Sequence, residues 1–422
     1  MNQEIAGGIE ILAGKTISSV SSFKKVLDET LGHPVTEIVN ALLAGAINLY
    51  ASDLHLEPQK EETKIRIRLD GVLEDLIILP NDIYETVLSR FKLLSGIKIN
   101  VSDKPQDGRF SVVLDKTPIE IRASTLPTEY GETIVLRILN PKSLISIEEL
   151  GLRKELLNIF KKEVKKPYGM IIVTGPTGSG KTTTLYSFLK SIQRPEIKII
   201  TIEDPIEYHL PGISQTQVNP GQNYDFATGL KAIVRQDPDV ILVGEIRDSE
   251  TADIAIQAAL TGHLVFTTLH TNDAAGTVSR LVTLGAKPSN VGPALNMAVA
   301  QRLVRKVCKK CAVFTKISAK DLEKIKKELR GVKNIKIASS LRIAAAKGCS
   351  YCNHTGYRGR IGIFEALLAT DKIEKLILTN QSIADLRKEA IEEGMITARQ
   401  DGFIKVIEGV TTIEEIEKVT GE

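Results

Sequence analysis

The sequence predicts an α/β protein: a parallel-rich sheet with helices on both faces, a smaller mixed α/β domain before it, and a cysteine-bearing segment and helices after it. Three observations carry this. First, Gly175-Pro-Thr-Gly-Ser-Gly-Lys-Thr182 fits the phosphate-loop pattern at every fixed position, between an apolar run and a helical pattern. Second, the apolar runs Met170–Val173, Ile199–Ile202, Val240–Val243 and Leu264–Thr268 alternate with helical patterns, as buried parallel strands do. Third, residues 33–140 show strands of alternating polarity together with two helices.

Taken in order, residues 1–32 are weakly patterned, with a short helix near Ser21–Leu31, and are too few for a core of their own. Pro34–Asn48 places Val35, Ile38, Val39, Leu42 and Leu43 on one helical face. Ser52–Glu57 and Thr63–Asp70 alternate polar and apolar residues, Gly71 ends the second, and Val72–Leu79 reads as its hairpin partner. A helix over Asp82–Ser95 and strands at Gly108–Leu114, Pro118–Thr125 and Thr133–Leu139 complete a domain over 33–140. Residues 141–167 form a linker and a helix, and 168–304 the sheet with the phosphate loop. A tetracysteine region spans 305–365, and a helical region, 366–422, closes the chain with helices near Ile373–Leu378, Ser382–Glu393, Ile396–Glu408 and Thr412–Val419.

Composition narrows the function classes. A chain of 422 residues with 42% apolar and 25% charged residues is an ordinary globular protein of two or three domains. A net charge of +3 and few aromatics, with no Trp, count against a protein that coats or stacks on nucleic acid. No apolar run approaches the roughly 18 residues of a membrane span, and the start Met1-Asn-Gln-Glu-Ile-Ala lacks the plan of a secretory signal. Membrane contact is therefore expected to be peripheral.

In the phosphate loop, glycines let the backbone close around phosphates while N–H groups at the helix start face negative charge. The candidate nucleotide ligands are Gly175, Pro176, Thr177, Gly178, Ser179, Gly180, Lys181, Thr182 and Thr183. Lys181 would reach the β- and γ-phosphates, and the Thr182 hydroxyl would hold Mg²⁺. Acids follow two further strands: Glu203, Asp204 and Glu207 after Ile199–Ile202, and Glu245 and Asp248 after Val240–Val243, with Arg247 between them. Ligands bind at the carboxyl ends of such strands, so these acids are candidates for Mg²⁺ and for the attacking water. His263 and His270 flank Leu264–Leu269, and His270, at the carboxyl end, is the better placed to sense a γ-phosphate.

Four ordered motifs then carry a resemblance: Gly175–Thr182, Thr201–Tyr208, Asp237–Asp248 and Gly262–Asp273. Together they resemble the ATPase family of type II secretion and type IV pilus assembly, over residues 33–422. The resemblance implies a hexameric motor whose subunits pair an N-terminal, PAS-like α/β domain with a RecA-like ATPase domain. It implies that Glu207 activates water, Glu245 takes the Walker B role near Mg²⁺, and Glu203 and Asp204 support the acidic box, with the roles of Glu207 and Glu245 exchangeable. Ala51–Pro58 and Arg66–Gly71 resemble the family's N-terminal motifs. Arg66, Arg68, Arg109 and Arg122 are therefore candidates to reach ATP in a neighbouring subunit, with Arg247 and Arg280 as further candidates within the ATPase domain.

Cys308-Lys-Lys-Cys311 and Cys349-Ser-Tyr-Cys352 are two C-x-x-C pairs, which suit closed, structural zinc in a reducing compartment. The lysine-rich, helical Ser318–Lys336 accounts for the long separation of the pairs. The stretch Cys349–Glu365 resembles the distal zinc motif of the assembly and secretion branch rather than the retraction branch. With so little chain before the first domain, the resemblance is to a short form lacking the family's extra N-terminal domain. The implied cofactors are ATP, Mg²⁺ and Zn²⁺. The implied partners are five further copies, an inner-membrane platform protein, and the pilin or pseudopilin machinery, with no direct nucleic acid. The implied place is the cytoplasmic side of the inner membrane. The alternatives are a DNA translocase or DNA-uptake motor, and an ATP-binding scaffold without activity.

Overall fold

The computed structural model describes residues 9–10, 17–114, 117–333 and 335–421; the rest of the N-terminal segment lies outside them. The chain divides into two units. Residues 1–143, 308–312 and 346–359 form the first, and 144–307, 313–345 and 360–422 the second.

The first unit contains β1 (Ile9–Glu10), α1 (Val20–Thr30), α2 (Val35–Asn48), β2 (Asp53–Pro58), β3 (Glu62–Leu69), β4 (Val72–Pro80), α3 (Asn81–Leu94), β5 (Gln106–Leu114), β6 (Thr117–Thr128) and β7 (Gly131–Leu139). Its sheet has the order β1-β5-β6-β7-β2-β3-β4 and is antiparallel except for the short β1–β5 pair. The alternation legible in β2 and β3 is the cause: Leu54, Leu56, Ile65 and Ile67 point into the core and the polar residues between them point away. The core extends into the N-terminal segment, whose sequence is only weakly patterned. Ser19 caps α1 with a capping box, and Val20, Phe23 and Leu27 join the core. Phe23 lies so close to α2 that a Cβ on Gly45 would stand 2.1 Å from its ring.

The second unit begins with α4 (Lys154–Glu163), β8 (Gly169–Thr174), α5 (Lys181–Ile192), β9 (Ile199–Glu203), β10 (Ser214–Gln217), α6 (Phe226–Val234) and β11 (Val240–Val243). It continues through α7 (Ser249–Leu260), β12 (Leu264–Leu269), α8 (Ala274–Thr283), α9 (Pro288–Ala294) and β13 (Leu295–Val307). Then come β14 (Val313–Lys316), α10 (Ala319–Glu328), β15 (Arg342–Ala345), β16 (Tyr357–Leu368, which starts in the first unit), α11 (Asp371–Leu378), α12 (Ile383–Glu392), α13 (Ala398–Ile407) and α14 (Ile413–Thr420). The main sheet has the order β10-β9-β11-β12-β8-β13-β16, with every pair from β10 to β13 parallel. Helices cover both faces, so each apolar run divides its side chains between two cores. Ile172, Ile202, Val243 and Val265 enter one, and Ile171, Val173, Leu242 and Phe266 the other.

The helix anticipated over Ser318–Lys336 is shorter, Ala319–Glu328, and β14 and β15 flank it as an antiparallel pair. The cysteine region is not grouped as one body. Cys308–Ala312 and Ala346–Gly359 belong with the first unit, and residues 313–345 with the second. Within the first unit, the Asn353 side chain accepts from Val20 N at 2.8 Å, and Asp70 accepts from Gly359 N at 2.7 Å.

Glycine costs helix stability, so its place in α2 reflects the approach of Phe23. Gly45→Val is expected to destabilise the first unit by about 1–3 kcal/mol through overpacking. This would be read as earlier urea unfolding with the exchange protection of residues 20–30 lost first.

Candidate nucleotide site and cysteine cluster

The phosphate loop leaves the end of β8 and enters α5. Gly175, Gly178 and Gly180 have φ of +146°, +78° and +86°, and Gly180 is the residue before the helix. Side chains are excluded twice over: a Cβ on Gly175 would stand 2.4 Å from the Gln301 carbonyl, and one on Gly180 2.9 Å from Gln301 Nε2. The first-turn N–H groups of α5 have no side-chain cap, and the Ser179 hydroxyl is buried without a partner. These unpaired donors make the loop a cradle that suits an anion. Lys181 Nζ donates to the carbonyls of Gly175 at 2.8 Å and Pro176 at 3.2 Å, which folds the side chain across the loop. Burial lowers its pKa, Glu245 pulls it up and Arg302 pushes it further down.

Beside the loop lies a cleft of about 150 Å³. It brings together Lys181, Thr182, Glu203, Asp204, Glu207, Glu245 and His270 from the carboxyl ends of three parallel strands, β9, β11 and β12, and the start of α5. Glu245 forms an ion pair with Arg247 and lies 3.4 Å from His270 Nε2, and Arg247 also reaches Asp204 at 3.3 Å. Glu203 is 3% exposed. Its Oε1 accepts from Thr201 Oγ1 at 2.6 Å and Gln215 Nε2 at 3.1 Å, and its Oε2 from the Tyr186 hydroxyl. Three protein donors thus hold Glu203 as the internal anchor of the acidic box, while Asp204, Glu207 and Glu245 line the cleft beside it. Asp248 and Asp273 instead cap helices, accepting from Thr251 N at 2.8 Å and from Gly276 N at 2.7 Å respectively. His263 lies at the other end of β12 against the Ala258 carbonyl, 3.0 Å away.

The arginines of the first unit form a row. Arg109, Arg122, Arg137, Asp53 and Arg68 are successive cross-strand neighbours from β5 to β3, and such neighbours share one sheet face. Asp53 is the only acid in that row; it meets Arg137 Nε at 3.1 Å and Arg68 Nε at 3.4 Å. Arg66 lies two residues from Arg68 and is held by Glu57 at 2.7 Å, and Arg122 lies 3.5 Å from Glu120. Arg109 is exposed. Arg137 belongs to none of the sequence motifs, and its place in the row follows from strand register, which a single chain does not disclose.

The four cysteine sulfurs lie within 4.8 Å of one another. Cys308–Cys349 is 4.0 Å, Cys311–Cys352 3.7 Å and Cys349–Cys352 3.8 Å. A tetrahedral ion with Zn–S bonds of about 2.3 Å requires S···S of about 3.8 Å, far longer than a disulfide. The Cys349 and Gly356 N–H groups donate to Cys352 Sγ at 3.2 and 3.3 Å, as suits a thiolate. The donor set therefore fits zinc. Lys310 and Arg358 also stack on Tyr351, each 3.9 Å from the ring centre, which joins the two C-x-x-C segments.

Gln301 on β13 is a residue that the sequence motifs do not flag. It is 2% exposed, donates to the Ser179 carbonyl at 2.8 Å and accepts from Thr184 Oγ1 at 2.7 Å. One side chain thus fixes both the loop and the helix that follows it. Only sheet order could have revealed it, because β13 is next to β8 in space but follows it by more than a hundred residues in sequence.

Comparison with known proteins gives concordant findings. The model of the type II/IV secretion system protein family matches residues 28–418. The chain is 43% identical to the type IV pilus assembly ATPase PilB of Thermus thermophilus over 391 residues, covering 92% of this chain but only 43% of that protein. It is 42% identical to the type II secretion system ATPase E of Vibrio cholerae, covering 92% of this chain and 76% of that one. Among solved structures, the pilus retraction motor PilT with bound ADP aligns with a TM-score of 0.60 at 28% identity, covering 90% of this chain and 96% of that one. The Legionella pneumophila ATPase DotB shares the fold, with a TM-score of 0.67 at 21% identity, covering 90% and 94%.

Replacing Gln301 by Leu leaves a buried carbonyl and a buried hydroxyl unpaired. The expected loss is about 2–4 kcal/mol, measured as a lower melting temperature of the second unit.

Proposed function

The chain belongs to the type II/IV secretion system protein family, and on that premise we propose that it is an ATP-hydrolysing hexameric motor that drives assembly of pilin or pseudopilin subunits. The observation that carries this is the convergence of Lys181, Thr182, Glu207, Glu245 and His270 on one cleft at the carboxyl edge of a parallel sheet. ATP with Mg²⁺ supplies the reactive γ-phosphoryl group. Around it the chain binds, orients and stabilises charge. Lys181 would exchange its two loop carbonyls for the β- and γ-phosphate oxygens, and the Thr182 hydroxyl would hold Mg²⁺. Glu245 sits in the Walker B position, Glu207 orients and deprotonates the attacking water, and His270 senses the γ-phosphate beside Glu245.

The arginine row belongs to the same reading. Arg68 and Arg137 share the carboxylate of Asp53, Arg122 lies beside Glu120, and Arg109 is exposed in the same cross-strand row. That face meets the ATP of a neighbouring copy and offsets charge in the transition state. Motion of the ring passes to an inner-membrane platform protein, and the motor works at the cytoplasmic face of that membrane. No described helix is long and apolar enough to cross a membrane. Cys308, Cys311, Cys349 and Cys352 would hold zinc, and four thiolate ligands suit a structural rather than a catalytic ion.

Steady-state ATP hydrolysis by the assembled protein tests the motor. Lys181→Ala, Glu207→Gln and Glu245→Gln are each expected to lower turnover by about 10²-fold or more. Near-normal turnover in both glutamate variants would overturn the assignment. Arg109→Ala is expected to be equally impaired alone and partly rescued when mixed with Lys181→Ala, because each supplies what the other lacks across a shared site. Strong stimulation by single-stranded DNA would favour a translocase instead. Elemental analysis is expected to find one zinc per chain, released on acidification as the thiolates protonate.

A further inference from the structure

Glu365 lies where a carboxylate is costly. Ile363, Phe364 and Leu367 beside it on β16 are fully buried, and Glu365 is itself 2% exposed. Burial pushes its pKa above the ordinary carboxylate range, against the opposing pull of the Ala274 N–H and Arg387. Such a group requires donors. Glu365 takes two backbone N–H groups: Ala274 N at 3.0 Å on Oε1 and Ala398 N at 3.4 Å on Oε2. Both are the first residue of a helix, where an N–H has no intrahelical partner and the dipole favours negative charge.

The two helices lead to different places. α8 follows directly from His270–Asp273, the loop that lines the nucleotide cleft. That loop is tied to the phosphate-loop strand, since Thr271 N donates to Thr174 Oγ1 at 2.7 Å and the two hydroxyls are 2.8 Å apart. α13 leads into the C-terminal helices. Its Asp401 accepts from Phe364 N at 2.9 Å and pairs with Arg153 at 2.7 Å and Lys405 at 2.6 Å. β16 and α13 are thus bonded in both directions, by Glu365 to the helix and by Asp401 to the strand.

We propose that Glu365 is a positioning residue that couples the His270–Asp273 loop to α13, so that a nucleotide contact at the loop is relayed to the C-terminal helices. A displacement of Ala274 must be followed by the carboxylate or leave a buried charge half-satisfied. The same carboxylate carries the displacement to Ala398. The proposal rests on reading the cleft as the ATP site.

Proline dissects the relay. It is favoured at the first position of a helix and removes only the N–H. Thr397 before it already has φ −68° and ψ 157°, the region a residue preceding proline prefers. The test is hydrogen exchange of the full chain with and without Mg²⁺ and AMP-PNP. In the wild type, the analogue is expected to slow exchange about 3-fold or more in both 270–276 and 398–407. In Ala398→Pro, protection of 270–276 is expected to remain while that of 398–407 is lost. The KM for ATP should be unchanged and kcat reduced. Glu365→Gln, which keeps one acceptor oxygen, is expected to show the same uncoupling and serves if the proline variant fails to fold. Equal protection of 398–407 in variant and wild type would overturn the relay, as would its absence in a wild type whose 270–276 segment is protected. Absence of protection in 270–276, 398–407 and 174–184 alike would overturn the ATP reading with it.

Discussion

The second unit depends on one geometric constraint: the strands that carry chemistry all run the same way. In a parallel sheet each strand leaves at the same edge, so residues that follow β8, β9, β11 and β12 emerge as neighbours. Register completes this. Ile172, Thr267, Val243 and Ile202 lie in one cross-strand row, and the phosphate loop, the acidic box, Glu245 and His270 follow within a few residues. Segments spread over about a hundred residues of sequence become a single cleft. An antiparallel arrangement would send half of them to the opposite edge.

Within that edge the acids divide their work. Glu203, Asp248 and Asp273 are spent on protein donors, one in the interior and two at helix starts. Asp204 and Glu245 share Arg247. Lys181 and Arg247 thus stand beside the carboxylates of the cleft and offset part of their charge.

The sequence disclosed what is local. The phosphate loop was legible because its glycines answer a backbone demand confined to eight residues. The acids were legible because they follow apolar runs. Even the pairing of the cysteines was visible from spacing. What was hidden is everything set by which strands are neighbours. Gln301 and Arg137 are unremarkable in the chain and acquire roles only once β13 lies beside β8 and β7 beside β6 and β2. The short strands β10, β14 and β15 have too few residues for a periodic signal, and β16 carries a buried acid in its apolar run. The grouping of Cys308–Ala312 and Ala346–Gly359 with the first unit was hidden for the same reason, since it is a long-range contact rather than a local pattern.

The bond from Val20 N to Asn353 spans 333 residues, and that from Gly359 N to Asp70 spans 289. Chains are made from the N-terminus, so α1, capped by Ser19, leaves the ribosome long before the Asn353 side chain that takes its Val20 N–H exists. At about 5–20 residues per second, the first unit waits on the order of 15–70 seconds for Asn353. For that interval the Val20 N–H lacks the Asn353 side chain, while α2 and β4, already made, cover α1. Within the first unit, α1 is thus made long before its last hydrogen-bond partner.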